Sequence, residues 1–471
     1  MTIRASLLFA QRLIFPRAGK KSSARKSVIG AIVCIAISIV PLIAVISVAH
    51  GMIDGMTERI IGLSSGHLKT FVYRNSPYAA SVSRLSAVAE TVSKINGVTN
   101  VYPELSIDAL ASGNRMRSGI ELRAIPPKTF QENKAFAKYL QITEGSFDAF
   151  LSGCDERDEK KNGKEDARDE NERNGGTKRD SGKYAIVGEK VASVLNLHAG
   201  DTIRIITTNK RDGKNITPRL SSFKICAIVS SGYQELDALW VFIPIDTAFE
   251  FAASANASFS LIIQTEDAFS SDLYRIRKEI DRILSPKALT YTWSEINEAQ
   301  LENFSSTKML LIFTMVLIVL VASVNISSAL VMLVMERRRE IAIVKSMGGT
   351  SHGIMLSFLA AGIFCGLFGI AIGAPIGILC AVNINGIISL IEKILNSVKM
   401  VAFLLSGGDS QNYINEKLLD PAFYLSEIPV AIPISEIVAV LAFVLVLCML
   451  VSILPSIRAG KEKPLDIIRK A

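Results

Sequence analysis

Histidine is scarce. The chain has four in 471 residues, scattered, and none forms His-Glu-x-x-His. That spacing sets two imidazoles on one helical face for zinc, so zinc-protease chemistry has no foothold here. Six cysteines show no metal or redox spacing. Cys34, Cys365, Cys380 and Cys448 fall in apolar runs and read as small packing residues. Cys154 and Cys226 lie outside those runs, and their positions give a disulfide no support. A phosphate-binding loop is missing too. Gly182-Lys183 is its nearest trace, but Tyr184 follows and Thr177 stands where the first glycine belongs. The chain therefore carries no nucleotide site, and no catalytic or cofactor site, of its own.

Charge is absent from four long stretches, 28–49, 309–335, 353–381 and 437–457. About 20 apolar residues of helix cross a hydrocarbon core roughly 30 Å thick, and a soluble helix is seldom apolar on every face for so long. Four transmembrane helices are expected, at 28–50, 309–335, 353–381 and 434–455, the last kinked or ended at Pro455. The first is too long for a signal peptide, and His50-Gly51-Met52 is no cleavage site, so it reads as an uncleaved anchor. Intramembrane carboxylates, usual in ion-coupled transporters, are missing from the runs, which argues against a secondary transporter or channel.

Basic residues set the topology. Segments 1–27, 336–352 and 456–471 hold 16 bases and 4 acids; the rest holds 36 and 40. Positive charge marks cytoplasmic segments, so both termini and the 336–352 loop are placed inside. The basic balance is then topological, with no nucleic-acid partner implied. Segments 51–308 and 382–433 fall outside, in the periplasm. In 51–308, short strands alternate with amphipathic helices, the pattern of an α+β domain. The fold class is thus a four-helix membrane protein with a large α+β domain inserted between helices 1 and 2. Residues 152–183 carry ten acids and nine bases with hardly an apolar side chain, and read as a disordered insertion.

Gly349-x-Ser351-x-Gly353 matches a nucleophile elbow only as a string, since it joins a charged helix to an apolar one. Gly362, Gly366, Gly369, Gly373 and Gly377 form overlapping small-x-x-x-small pairs. They suit close packing within the chain or against a second membrane subunit. Residues 337–347 form a short amphipathic helix between two spans. A helical wheel puts Ile341, Ile343, Val344 and Met347 on one arc and Arg338, Arg339, Lys345 and Ser346 opposite. Arg337 and Glu340 pair at i,i+3, and Gly348-Gly349 ends the helix.

MERRREIAIVKSMGGTSHGIM (335–355) resembles the cytoplasmic link of FtsX-like, MacB-like ABC permeases, where Glu-(Ile/Val)-Ala-Ile-x-(Arg/Lys)-x-x-Gly recurs. AHGMIDGMTERIIGL, YAIVGEKVASVLNLHAGDTIRII, YLSEIPVAIPISE and PSIRAGKEKPLDIIRKA resemble further blocks in the same order. The greatest similarity is to the membrane subunits of lipoprotein-releasing, Lol-type transporters. The resemblance implies a non-catalytic subunit working with a dimer of cytosolic ABC ATPases, which bind the ATP and Mg, and with a second permease subunit, a copy or a paralogue. It implies an ATPase-coupling surface of Glu336, Arg337, Arg338, Arg339, Glu340, Ile341, Val344, Lys345, Met347 and Gly348. It implies a cavity for lipidated proteins at Val45, Met52, Met56, Ile60, Met309, Ile312, Met315 and Val316, emptied toward a periplasmic lipoprotein carrier. A carrier hook would fall in 208–220, with Arg211, Ile216 and Pro218. The alternative function is a related mechanotransmission permease for efflux or for control of a cell-wall hydrolase. A membrane-anchored periplasmic receptor is a third.

Overall fold

The computed structural model describes residues 23–113, 116–148, 150–151, 183–211, 215–249, 257–405 and 429–461. The insertion expected at 152–183 lies outside them except for Lys183, as do Cys154, the basic segment to residue 22 and the tail from 462. The chain divides into two compact units. One comprises 54–301 with 419–427; the other comprises 1–53, 302–418 and 428–471. Helices of seven or more residues are numbered here.

In the 54–301 unit, ten strands form one mixed sheet. They are β1 (Leu68–Val72), β2 (Val98–Ser112), β3 (Arg117–Ile125), β4 (Gln141–Gly145), β5 (Tyr184–Gly188), β6 (Thr202–Arg211), β7 (Asn215–Ser230), β8 (Trp240–Pro244), β9 (Ala257–Thr265) and β10 (Ala288–Thr292). The order is β10-β1-β9-β2-β3-β8-β5-β7-β4, with β6 paired to β2 and β7. Only β3–β8 and β5–β7 are parallel among the described pairs. Two amphipathic helices join the sheet's core. The helix Val82–Ser93 buries Leu85, Val88, Ala89 and Val92, and the helix Asp272–Leu284 buries Leu273, Ile276, Ile280 and Leu284. Both sets repeat every three or four residues, which is one helical stripe. Ser81 caps the first of these helices through Arg84 N.

With the long helices included, the numbering is α1 (Ser23–Ile60), α2 (Val82–Ser93), α3 (Glu189–Leu195), α4 (Asp272–Leu284), α5 (Glu298–Glu336), α6 (Arg338–Ser346), α7 (Ser351–Val382), α8 (Ile384–Leu405) and α9 (Ile434–Lys461). Among the described residues four helices, α1, α5, α7 and α9, are long and apolar enough to cross a membrane. At 1.5 Å per residue, α1 with its 38 residues is about 57 Å long, well beyond a hydrocarbon core. As expected, MIDGMTERIIGL continues the first helix, and a π-helical turn, Ile61–Ser65, extends it further. Of the two outcomes expected at Pro455, the helix does not end there: α9 runs through it to Lys461. Residues 384–405, expected only as part of a short outer segment, form a 22-residue helix.

The glycines of α7 pack within the chain. A Cβ at Gly362 would lie 2.6 Å from Ser452 Cβ in α9, and one at Gly373 would lie 2.8 Å from the Ala36 carbonyl oxygen in α1. Small residues allow this approach where lipid supplies no hydrophobic drive. Ile35, Ile39 and Ile43 of α1, Leu330 and Leu333 of α5, Phe358 of α7 and Val444 of α9 meet in one buried cluster.

Candidate functional site

Three places concentrate chemistry. The first is α6. Arg337, at φ −95° and ψ 11°, breaks the helix between α5 and α6, and its side chain pairs with Glu340. Ile341 and Ala342 are buried. Lys345 Nζ donates to the Gly460 carbonyl at 2.7 Å, which ties α6 to the end of α9. Gly348 adopts φ +92°, a left-handed conformation that suits glycine. Thr350 then caps α7 by accepting from Gly353 N at 3.2 Å. Ser351 therefore lies in the first turn of a long helix, with no strand before it, and the elbow geometry is not formed.

The apolar arc drawn on the wheel needs correction. Ile341 is its buried member, but Ile343 is 50% exposed and Met347 is 83% exposed. The inward face is instead Ile341, Ala342 and, in part, Lys345, because the Lys345 ammonium finds the unpaired carbonyls at the end of α9. Glu336, Arg338, Arg339, Glu340 and Gly348 are exposed, while Arg337 and Val344 are half-buried. The exposed surface thus includes two apolar side chains, Ile343 and Met347, along with Arg338, Arg339 and Glu340.

The second place is a cavity of about 270 Å³ between α1, α5 and α9. Its lining is Val45, Ile46, Ala49 and His50, then Lys308, Leu311, Ile312 and Met315, then Glu436, Ala439 and Val440. Val45, Ile312 and Met315 were expected there. Met52, Met56, Ile60, Met309 and Val316 are not in the lining. Ile60 is buried away from solvent, and Met309 is 75% exposed. The residues not expected include three polar ones, His50, Lys308 and Glu436. Lys308 Nζ donates to Glu436 Oε1 at 2.7 Å, and His50 Nδ1 lies 3.8 Å from the same oxygen. Each directly flanks an apolar run, so each is visible in the sequence, but their convergence from three helices is not. The cavity is greasy on its walls and polar at one end.

The third lies within the 54–301 unit, where residues 58–69 meet the sheet. The Arg123 guanidinium, fully buried, donates to the Leu63 carbonyl at 2.8 Å and to Glu104 at 2.5 Å. Lys69 reaches the other Glu104 oxygen at 3.2 Å. Arg123 also stacks over Trp240 and Phe242, 4.6 and 5.3 Å from their centroids. Burial alone would raise the Glu104 carboxyl, but Arg123 and Lys69 hold it below its ordinary value. Arg59 donates to the Ser231 carbonyl at 2.9 Å, and Tyr139 donates to Glu58. Nearby, burial lowers the His67 imidazole to about 4, against the pull of Asp267. Thr265 N donates to its Nδ1 at 3.1 Å.

Of the hook residues, Arg211 ends β6, and Ile216 and Pro218 lie in β7; the register pairs Lys210 with Ile216 and Thr208 with Pro218. The tip, 212–214, lies outside the described residues. Among the described residues no group of three His, Cys, Asp or Glu side chains is placed to hold a metal.

Comparison with known proteins follows the same division. The family described as MacB-like periplasmic core domain matches residues 28–281, and that described as FtsX-like permease C-terminal matches 312–464. The lipoprotein-releasing system transmembrane protein LolC of Neisseria meningitidis is 23% identical over 60% of this chain and 64% of its own length, just under two thirds. LolC of Xylella fastidiosa is 20% identical over 92% of both chains. LolE of Haemophilus influenzae, also of a lipoprotein-releasing system, is 23% identical over 60% of this chain and 64% of its own.

Proposed function

Since the chain belongs to the permease family that joins a MacB-like periplasmic core domain to an FtsX-like C-terminal region, we propose that it extracts lipidated proteins from the outer leaflet of a bacterial inner membrane. The observation that carries this is the match over 92% of both chains to a lipoprotein-releasing membrane protein. Energy comes from ATP hydrolysed on a separate pair of cytosolic ATPase subunits, where ATP and Mg are held. A second permease subunit completes the assembly, and a periplasmic carrier takes the product to the outer membrane. Both termini and α6 face the cytoplasm.

The geometry supports a division of labour. The exposed Ile343 and Met347, on a helix that also exposes Arg338, Arg339 and Glu340, form a knob for a groove on the ATPase. α6 is joined to α5 through Arg337 and to α7 through residues 347–350, and it is bonded to α9, so a displacement at α6 reaches three long helices together. The cavity walls suit acyl chains, at about 0.8 kcal/mol per buried methylene. Its Lys308, Glu436 and His50 end suits the polar glyceryl and peptide groups that follow. The β6–β7 hairpin is the hook for the carrier.

Depletion of the protein in its own cell, followed by membrane fractionation, tests this. Lipidated proteins should accumulate in the inner membrane. An unchanged distribution, with loss of drug efflux or of cell-wall hydrolysis instead, would move the assignment to another permease of the same family.

A further inference from the structure

The helix α8 has no assigned task, and its surface is unusual. None of its residues from 384 to 400 is buried. On a helical wheel Leu390, Ile391, Ile394, Leu395 and Val398 share an arc of about 140°, and they are 38–64% exposed. Asn385, Ser389, Glu392, Lys393 and Asn396 occupy the opposite side. A helix with one strongly apolar face and one charged face suits an interface between water and lipid.

Two observations choose lipid as the occupant of that face. First, α8 follows α7 with one intervening residue, Asn383 at φ −99° and ψ 19°. It therefore begins where α7 leaves the membrane, at the end opposite α6. Second, the exposed apolar residues of α7 near that end, Ile376, Leu379 and Val382, lead directly into those of α8. Along the chain, the apolar residues of α8 thus follow exposed apolar residues of a helix long and apolar enough to lie in lipid. Charges at Glu392, Lys393 and Lys399 in the middle of α8 disfavour a fifth crossing.

We propose that α8 lies in the plane of the membrane surface, on the face opposite α6, with Ile391, Ile394 and Val398 in the acyl region and Ser389, Lys393 and Asn396 in the headgroup layer. This rests on α7 crossing the membrane. A helix so placed fixes the depth of α7 and loosens lipid packing beside the helices that handle substrate.

Spin labels test it. The full chain, with its six cysteines replaced, receives single cysteines at 389, 391, 393, 394, 396 and 398 and, as references, at 372 and 376 in α7. Each labelled protein is placed in phospholipid nanodiscs, and access of oxygen and of a water-soluble nickel chelate is measured. The oxygen-to-chelate ratio should be about tenfold higher at 391, 394 and 398 than at 389, 393 and 396. It should be high at 372 and 376. Chelate access at 391, 394 and 398 would mean water on that face, and closure to both reagents would mean a protein partner. Either overturns the proposal while leaving α7 in the membrane. Low ratios at 372 and 376 would instead overturn the crossing itself. Three positions per arc keep the comparison intact if one labelled chain fails to fold.

Discussion

Arg123 shows how much can rest on one residue. Its buried guanidinium joins the carbonyl of Leu63, in the π-turn that follows the first helix, to Glu104 in the sheet. Arg123→Leu leaves Glu104 buried beside Lys69 alone, and the expected loss is about 3–5 kcal/mol in the unfolding of the purified protein. Arg123→Leu with Glu104→Leu and Lys69→Met should recover most of that, because no uncompensated charge of the triad then stays buried. The alternation in GIELRAI makes Arg123 look like a solvent-facing strand residue. It is buried because aromatic side chains cover that part of the sheet, and a single strand carries no sign of that cover. His67 gives a pH signature. Its folded value, about 4, is below the ordinary 6.5, so the unfolded state binds more protons between these values. Stability should fall as pH drops from 6.5 toward 4, by at most about 3 kcal/mol. Thermal melts of a His67→Asn variant should show a shallower decline over that window.

Among the elements, α6 and α7 invite the sharpest tests. Ile343→Glu with Met347→Glu alters only exposed side chains of α6. Co-purification of the ATPase should fall about tenfold or more, equivalent to roughly 1.4 kcal/mol, while the protein stays folded. In α7, a side chain at Gly373 meets the backbone of Ala36, which cannot yield as a flexible side chain does. Gly373→Leu should cost about 1–3 kcal/mol, whereas Gly386→Ala in α8, with nothing within 4 Å, should be tolerated. Melting in detergent separates the two. The long apolar helices and most strands were legible because their hydrophobic periods are sustained. The inward face of α6 was not, because a wheel over 337–347 cannot know that Gly460 will draw Lys345 inward. α8 was missed for a different reason. Its charges broke the apolar run at Glu392, and an interfacial helix needs its amphipathic period weighed apart from its mean hydropathy.

At the scale of the whole molecule, the proposed function joins four stretches far apart in sequence. Residues 45–50, 308–315 and 436–440 make the cavity, and α6 makes the surface on which an ATPase would act. Val45, Ile312 and Met315, expected from the resemblance, line that cavity. His50, Lys308 and Glu436 emerged only when three helix ends met. Lys308→Ala with Glu436→Ala should keep the helices folded but slow release of lipidated protein severalfold, read in reconstituted vesicles. The most direct test of the account places a photoactivatable crosslinker at Ile312, in the cavity, and another at Ile372, on the outer surface of α7, in the assembled transporter. A lipidated protein should be captured at Ile312 and not at Ile372, and a round of ATP hydrolysis before illumination should remove the adduct. Capture of phospholipid alone at Ile312, or of lipidated protein equally at both positions with no response to ATP, would contradict it.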